Sequence, residues 1–252
     1  MTTLIKEDQW LKISAFLSEE SCVYAGNLSR LRLFVEGVFW ILRSGAQWRF
    51  LPSEYGRWNS VYRRFARWSV RGAWERFFTF CARDPDMELL IPDSTVIRAH
   101  PCAAGALKTG GGQEEQALGR SRGGFSTKIH VAVDALGNPL KFILAPGQNH
   151  DITQAEALTD DFCPAAVPAD KGYDSDPFRQ HLRERGALPV IPSRSNRKNP
   201  QEYDRHLYKE RHLVECFINK IKYFRHVFSR FDKLAERYMS FLHFAGALIW
   251  LR

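Results

Sequence analysis

Cysteine is scarce in this chain, and its few thiols do not stand in pairs. No two of them form a Cys-x-x-Cys motif. An odd number of scattered cysteines argues against a disulfide framework and against a structural zinc site, and fits a reducing cytoplasm best. The five cysteines are Cys22, Cys81, Cys102, Cys163 and Cys216.

Long apolar segments are missing as well. The longest apolar run, residues 244–251, is too short to cross a bilayer, and the first residues lack the basic and then apolar design of a secretion signal. A Gly-x-x-x-x-Gly-Lys-Ser/Thr motif is also absent, so a phosphate-binding nucleotide loop is not expected. These absences predict a protein that is neither membrane-spanning nor exported.

Positive charge, in contrast, is in excess. Lysine and arginine number 36 against 28 acidic residues, which gives a formal net charge of +8 and a sequence pI near 9.4. This balance favours a polyanionic partner. The length of 252 residues and the 44% hydrophobic content allow one large domain, or a catalytic domain with a smaller one.

The first 85 residues have a helical and basic pattern. Amphipathic periodicity predicts helices at residues 9–17, 31–42, 61–68 and 73–81, and no strand is indicated there. We interpret residues 1–85 as a small all-α, DNA-binding domain with a tryptophan core; arginines that merely form a solvated face are the simpler alternative. The tryptophans are Trp40, Trp48, Trp58, Trp68 and Trp74. The interleaved arginines are Arg43, Arg49, Arg57, Arg63, Arg64, Arg67, Arg71 and Arg76.

After residue 85 the pattern changes to short strands separated by helices. An α/β domain with a mixed sheet is therefore predicted for residues 86–252. A glycine-rich segment at 101–125, which contains Lys108, Arg120 and Arg122, is predicted to be a mobile basic loop. The predicted strands are residues 88–97, 127–134, 140–146, 166–170 and 188–192, and the predicted helical links are 151–162 and 176–185.

Residues 208–222 predict a helix with one polar face. At about 100° per residue, Tyr208, Arg211, Glu215 and Lys222 fall within an arc of about 60°. One carboxylate flanked by an aromatic ring and two cations suits a metal ion and a phosphate chain. The apolar residues expected on the opposite, core-facing side are Leu213, Val214, Phe217, Ile221, Phe224 and Phe228.

Two aspartates lie in or at the end of predicted strands. Asp93 interrupts an apolar stretch, and Asp170 ends one, at the sheet edge where α/β sites usually form. Either aspartate alone is compatible with a cap or a salt bridge, and Asp174 is the alternative to Asp170. Together with Glu215, the two aspartates give the three carboxylates that two-metal phosphoryl transfer requires. Such oxygen ligands select Mg²⁺ or Mn²⁺.

Other polar residues have structural interpretations. Asp134 is expected in the turn of a hairpin, and Asp151 at the N-cap of a helix. His100 and His130 lack metal-ligand spacing to a second histidine or cysteine, so we expect them to be structural or adjacent to DNA.

Several motifs in this chain occur together in one family. They are Asp-Ser-Thr-Val-Ile-Arg-Ala-His at 93–100, Gly-Arg-Ser-Arg-Gly-Gly-Phe-Ser-Thr-Lys-Ile-His at 119–130, Asp-Lys-Gly-Tyr-Asp at 170–174 and the 208–222 segment. Together they resemble bacterial insertion-sequence transposases of the DDE class, in the branch with a Tyr-Arg-Glu-Lys signature. Residues 42–52 and 58–68 resemble the helical domain that precedes the catalytic core in those transposases. The resemblance covers nearly the whole chain.

The resemblance implies a fold and a set of site residues. The implied fold is α/β, a ribonuclease-H-like mixed five-stranded sheet flanked by helices and preceded by a small all-α N-terminal domain. The residues it assigns to catalysis and to two Mg²⁺ or Mn²⁺ ions are Asp93, Asp170 and Glu215. The residues it assigns to DNA contact are Tyr208, Arg211 and Lys222.

The implied function is transposition in the bacterial cytoplasm, at the nucleoid. The enzyme would bind the terminal inverted repeats of its element in double-stranded DNA, cut at the ends and join the 3′ ends to target DNA, as a homodimer in the active complex. One alternative is a ribonuclease-H-like nuclease that only hydrolyses, which would not need the basic helical domain. Another is an inactive, transposase-derived DNA-binding protein, against which the complete carboxylate set argues.

Overall fold

A computed structural model describes residues 5–21, 23–105, 112–121 and 123–252. Within these residues, the contacts divide the chain into two units. The first unit comprises Met1–Arg83, Arg98–Gly112 and Ile221–Arg252, and the second comprises Asp84–Ile97 and Gln113–Lys220. The division into consecutive domains 1–85 and 86–252 stays a prediction.

The helices expected near the N-terminus are confirmed as α1 to α4. Asn27 begins α2 by accepting a hydrogen bond from the amide of Arg30, and Gly45 ends it in the left-handed conformation at φ 65°. The α-helices of the described residues are α1 (Glu7–Glu19), α2 (Leu28–Ser44), α3 (Trp58–Val70), α4 (Ala73–Cys81), α5 (Gly112–Glu115), α6 (Ala155–Thr159), α7 (Asp176–Glu184), α8 (Arg205–Lys209), α9 (His212–Lys222), α10 (Arg225–Phe228) and α11 (Ala235–Trp250). No helix in this part of the chain is both long and apolar enough to cross a membrane.

The core of the first unit is aromatic, but only part of it is tryptophan. Trp68 and Trp74 are buried with ring centroids 5.3 Å apart, whereas Trp58 is 37% exposed. The C-terminal helix α11 completes this core, and its Phe244 ring lies 4.9 Å from that of Trp74. The expected tryptophan core is thus correct for Trp68 and Trp74 and wrong for Trp58, which begins α3 at its exposed end.

All five predicted strands are present, and the described residues contain two further short strands. The strands are β1 (Ile91–Ala99), β2 (Gly119–Ser121), β3 (Gly124–Val133), β4 (Pro139–Pro146), β5 (Ala166–Pro168), β6 (Leu188–Val190) and β7 (Ser229–Arg230). In the first unit, β7 pairs in parallel with the last residues of β1, with Ala99 opposite Arg230. The strands β2 and β7 were not predicted, because two or three residues carry no alternation to detect.

The second unit contains a mixed sheet flanked by helices. Strand β3 is antiparallel to both β2 and β4 and is hydrogen-bonded to β1. Strands β5 and β6 form a parallel pair, which a parallel bridge between Leu89 and Ala166 links to the segment just before β1. Helix α6 packs on β3 and β4, and Phe217 of α9 lies 6.0 Å from Phe142 of β4.

Part of the glycine-rich segment is ordered into regular elements rather than a loop. It contains a 3₁₀ helix (Pro101–Ala104), the short α5 and strand β2. Arg120 lies opposite Phe125 in the β2–β3 pair, with its guanidinium 4.8 Å from that ring. This pairing depends on contacts between two neighbouring strands, and the glycine content of the segment does not reveal such contacts. Residues 106–111 and 122, including Lys108 and Arg122, lie outside the described residues.

The helix predicted at 208–222 is interrupted. It consists of α8 and α9, and the amide of Arg211 bonds to the carbonyl of Tyr208 at 3.2 Å, a bond across three residues rather than four. The apolar stripe is otherwise as expected, with Val214, Phe217, Ile221 and Phe224 buried. Phe228 is 60% exposed, because a second break at Phe224 begins α10 and resets the helical period.

Candidate active site

Asp93 lies on β1 with little exposure to solvent. Its Oδ1 accepts a hydrogen bond from the amide of Ser94 at 2.7 Å. Burial raises the pKa of Asp93 to about 6, with further increases from the charges of Asp170 and Asp151, although the Ser94 amide and Arg211 act in the opposite direction. Three aspartates are therefore close enough to interact electrostatically.

Asp170 follows β5 and caps a 3₁₀ helix (Lys171–Tyr173). Its Oδ1 accepts a hydrogen bond from the amide of Gly172 at 2.6 Å. A Cβ atom at Gly172 would lie 2.7 Å from Asp170 Oδ1 and 3.6 Å from Asp151 Oδ2. Because Gly172 has no Cβ, an oxygen of Asp170 occupies the space that a side chain would need, and an oxygen of Asp151 lies on the same side.

Glu215 and Asp93 share one arginine. The guanidinium of Arg211 contacts Asp93 Oδ2 at 3.1 Å and Glu215 Oε1 at 2.6 Å. Arg211 and Glu215 lie four residues apart and form the ordinary ion pair of two such positions on a helix surface. The same guanidinium also reaches β1, however, and so connects the helix carboxylate with the strand carboxylate.

The remaining signature residues differ in their surroundings. The Tyr208 ring of α8 packs edge-on against Tyr203, with centroids 5.3 Å apart. Burial raises the pKa of Tyr208, Arg211 lowers it, and the charges of Asp170 and Glu215 raise it. Lys222 ends α9 and belongs to the first unit by its contacts. The second unit therefore gathers Tyr208, Arg211 and Glu215.

Asp151 does not cap a helix, and this part of the sequence prediction is wrong. His150 occupies the N-cap of the 3₁₀ helix Asp151–Gln154, and Asp151 is its first residue. Asp151 Oδ1 accepts hydrogen bonds from Ser94 Oγ at 2.5 Å and from Lys128 Nζ at 3.0 Å. Burial opposes its charge, but these two donors hold the pKa of Asp151 below its usual range. The prediction failed because an N-cap preference is local, whereas both donors are distant in sequence.

Asp174, the alternative to Asp170, is engaged elsewhere. Its carboxylate is almost fully buried and pairs with Arg179 at 2.9 Å and with Arg197 at 2.7 Å. Its second oxygen accepts a hydrogen bond from the amide of Arg194 at 2.8 Å. Both oxygens of Asp174 are thus occupied by cations and backbone.

Asp134 and His100 have local structural roles. Asp134 occupies the β3–β4 turn as predicted, and its Oδ1 accepts hydrogen bonds from the amides of Leu136 at 3.0 Å and Asn138 at 2.8 Å. His100 caps the 3₁₀ helix Pro101–Ala104, where its Nδ1 accepts a hydrogen bond from the amide of Cys102 at 3.2 Å.

Two buried polar side chains beside the aspartates lack a partner. His130 is fully buried, its ring nitrogens have no hydrogen-bond partner among the described residues, and its Nδ1 lies 3.9 Å from Asp151 Oδ1. Burial lowers the pKa of His130 to about 4, so the ring is neutral at pH 7. The hydroxyl of Tyr173 is buried without such a partner too.

The donor atoms of this site fit a hard divalent cation. Asp93, Asp151, Asp170 and Glu215 present only carboxylate oxygens, which suit Mg²⁺ or Mn²⁺ better than zinc. The space at Gly172 is bordered by two of these oxygens. Within the described ranges, no three acidic, histidine or cysteine side chains are already gathered around one point. Glu215 in particular is held by Arg211 and would have to turn to join the aspartates.

A methyl group at Gly172 tests the importance of this space. The Gly172→Ala variant is expected to lose about a hundredfold in DNA cleavage, because the new Cβ displaces Asp170 Oδ1. The thermal unfolding midpoint should change little, since the carboxylate can move away. Cleavage rates and circular dichroism melts of both proteins measure the two effects. A variant that cuts at the wild-type rate would show that this space is not needed.

Comparisons with known proteins identify the family of this chain. A family model described as "Transposase DDE domain" matches residues 84–245, and one described as "Putative transposase of IS4/5 family" matches residues 5–78. The chain therefore belongs to the DDE transposase family of bacterial insertion sequences, whose members cleave DNA and transfer its strands. The first match ends at residue 78 and the second begins at residue 84.

Individual relatives carry the same description. A protein of Brucella ovis named "Putative transposase for insertion sequence element IS6501" is 39% identical over 133 residues, which are 51% of this chain and 100% of that protein. A counterpart for element IS402 of Burkholderia cepacia is 34% identical over 135 residues, 49% of this chain and 62% of its own. A piggyBac transposase synaptic complex with hairpin DNA aligns with 77% of this chain and 43% of its own at 14% identity, with a TM-score of 0.39, too low to support an inference.

Proposed function

We propose that this transposase binds the terminal inverted repeats of its own insertion element, cuts DNA at the element ends and joins the 3′ ends to target DNA. Asp93, Asp170 and Glu215 are the proposed catalytic residues. The observation that carries this assignment is the contact of one guanidinium, that of Arg211, with both Asp93 and Glu215. Two residues 122 positions apart in the sequence are thereby brought to one site.

Mg²⁺ or Mn²⁺ is the proposed cofactor, as two ions held by Asp93, Asp170 and Glu215. Bound there, the ions would activate water or a DNA 3′-hydroxyl and stabilise the leaving oxygen. The protein's own contribution is to hold three carboxylates that repel one another. Hydrogen bonds from the amides of Ser94 and Gly172 restrain Asp93 and Asp170 before a cation binds.

A ribonuclease-H-like topology is the fold we propose for the second unit. The strand order supports it, since β4, β3 and β1 are neighbours and β5 and β6 follow in parallel beyond the Leu89–Ala166 bridge. In that order Asp93 and Asp170 come from adjacent parts of the sheet, and Glu215 comes from a later helix. Ligand sites of open α/β sheets form where such strands end.

Tyr208, Arg211 and Lys222 are proposed to contact the DNA end. A guanidinium donates two parallel hydrogen bonds to a phosphate as readily as to a carboxylate, so Arg211 has the chemistry for either partner. The Tyr208 ring can pack on a sugar or a base. Lys222 supplies a point charge for a backbone phosphate.

A second DNA-contacting surface is proposed on the first unit. Arginines of α3, among them Arg63 and Arg67, line a groove together with Arg237 of α11. Exposed arginines spaced four residues apart lie on one side of a helix, which allows several phosphates to be neutralised together. We call this surface the α3 arginine groove.

Loss of charge in the α3 arginine groove should weaken DNA binding in a salt-dependent way. A double variant, Arg63→Gln with Arg67→Gln, is expected to lower the slope of log affinity against log salt by about 2, because each phosphate contact releases about 0.9 counterion. Fluorescence anisotropy with terminal-repeat DNA at several salt concentrations measures the slope. Arg183→Gln, an exposed arginine on α7 of the second unit, is the control. An unchanged slope would contradict a role for the groove.

A strand-transfer assay tests the proposed function. Precut terminal-repeat DNA is incubated with the protein, target DNA and Mg²⁺, and joined products are measured. Joining is expected, whereas a nuclease that only hydrolyses would give shorter fragments and no joined product. An inactive DNA-binding protein would shift the DNA without changing it. Mass photometry of the same mixture checks the proposed homodimer.

A further inference from the structure

Asp151 uses only one of its two carboxylate oxygens for the structural contacts described above. Both hydrogen bonds, from Ser94 and from Lys128, end on Oδ1. Oδ2 lies instead 3.6 Å from the position of a Cβ at Gly172, and Asp170 Oδ1 lies 2.7 Å from the same position. One oxygen of Asp151 is thus fixed to β1 and β3, while the other faces the space beside Asp170.

A second observation points to a ligand at this place. Tyr173, the residue after Gly172, is fully buried, and its hydroxyl has no hydrogen-bond partner among the described residues. Burial raises the pKa of Tyr173, and the charges of Asp151, Asp93 and Asp170 raise it further. His130, also unpartnered, lies on the Oδ1 side of Asp151.

We propose that Asp151 is a fourth acidic residue of the catalytic centre, whose Oδ2 binds a divalent cation together with Asp93 and Asp170. This inference rests on the proposed metal-dependent function and extends its ligand set. The three aspartates all come from the second unit, and β1, the 3₁₀ helix at Asp151 and the end of β5 supply one each.

Lys128 explains how a fourth carboxylate is tolerated. Its ammonium group donates to Asp151 Oδ1 at 3.0 Å and to the carbonyl of Asn149 at 2.6 Å, and only 12% of its side chain is exposed. This largely buried cation offsets much of the repulsion between Asp151 and the other aspartates. Because the ammonium binds Oδ1, it leaves Oδ2 available to a second cation.

The Asp151→Asn variant tests the role of Oδ2 separately from that of Oδ1. Asparagine keeps an acceptor for Ser94 and Lys128 but replaces Oδ2 with an amide nitrogen, which does not bind Mn²⁺. Titration of the full chain with Mn²⁺, followed by electron paramagnetic resonance, should show an affinity loss of about tenfold or more. Asp161→Asn, which removes a carboxylate paired with Lys141 in the same unit, is the matched control and should change affinity less than about twofold.

The outcomes distinguish this inference from the proposed function. If the wild type binds Mn²⁺ and joins DNA while Asp151→Asn binds Mn²⁺ as tightly as the wild type, the role of Asp151 is overturned and the proposed function stands. If the wild type binds no Mn²⁺, both are overturned. Should the Asp151→Asn variant fail to fold, backbone cleavage of the wild-type chain by bound Fe²⁺ and peroxide tests the proposal instead. Backbone cleavage near residue 151, besides residues 93 and 170, supports the proposal, and its absence at 151 refutes it.

Discussion

Asp93→Asn is expected to abolish DNA cleavage and strand transfer, with losses on the order of 10³-fold or more. The change removes one charged oxygen from the centre where the divalent cations are proposed to bind, and Arg211 would keep only Glu215 as a carboxylate partner. Binding of terminal-repeat DNA should stay within about twofold of the wild type, because the α3 arginine groove is untouched. Cleavage assays and anisotropy on the same DNA measure the two effects.

The stability of the Asp93→Asn protein provides the internal control. The pKa of Asp93 is raised to about 6, above the unfolded value of about 3.9, so the native state holds the extra proton between these values. Stability therefore falls as pH rises from about 4 to 6, and the penalty is fully present above 6. Asparagine carries no charge and avoids this penalty. The Asp93→Asn variant should therefore be more stable than the wild type at pH 7.5, by at most about 3 kcal/mol. Below pH 4 the two proteins should have similar stability.

The cleavage and binding assays can also be applied to variants of Glu215 and Asp170. Glu215→Ala and Asp170→Ala should also abolish cleavage while DNA binding remains. Glu210→Gln, five residues before Glu215 in the break between α8 and α9, is the control and should cut at nearly the wild-type rate. If Glu215→Ala still cuts DNA, the assignment of the three carboxylates is wrong.

Asp174→Ala is expected to destabilise the protein by about 3–5 kcal/mol, because it leaves Arg179 buried without its counterion. For a chain of this length, such a loss lowers the unfolding midpoint by on the order of 10 °C. Thermal unfolding followed by circular dichroism is the measurement. Asp176→Ala removes the other carboxylate that pairs with Arg197, but one that is 78% exposed, and should cost less than about 1 kcal/mol.

The stability difference between the wild type and Asp174→Ala should depend on pH, in the direction set by the lowered pKa of Asp174. Burial opposes the charge of Asp174, but hydrogen bonds from Arg194 and Arg179 and the nearby cations hold its pKa below the usual value. Its stabilising contribution is therefore complete above the unfolded pKa and is lost as pH falls through the folded pKa. The difference in the free energy of unfolding between the wild type and Asp174→Ala should therefore become smaller at acidic pH. A variant that melts like the wild type but no longer binds Mn²⁺ would identify Asp174 as the ligand instead of Asp170.

Local patterns predicted the elements of this fold well. Hydrophobic periodicity predicted α1 to α4, and Asp134 was correctly placed in the turn between β3 and β4. These features depend on residues within one or two turns of each other. The break at Glu210 and Arg211 was missed because no glycine or proline marks it.

The polar part of the site was harder to predict. The residue types and the order of Asp93, Asp170 and Glu215 were readable, but the contact between Arg211 and Asp93 spans 118 residues. Asp151 was misread for the same reason, since its partner Ser94 is 57 residues away. Side-chain hydrogen bonds between distant segments depend on how the sheet packs. The spacing of residues within one segment does not predict them.

The membership of α11 in the first unit bears on synthesis of the protein. Helix α11 is buried along most of its length and supplies Phe244 and Phe241 to the aromatic core formed by α3 and α4. On the ribosome, the first 83 residues emerge early, yet this core cannot close until the final helix has been translated. The second unit can therefore fold before the first is finished, and a chain that terminates early leaves α3 and α4 as a nascent, aggregation-prone segment.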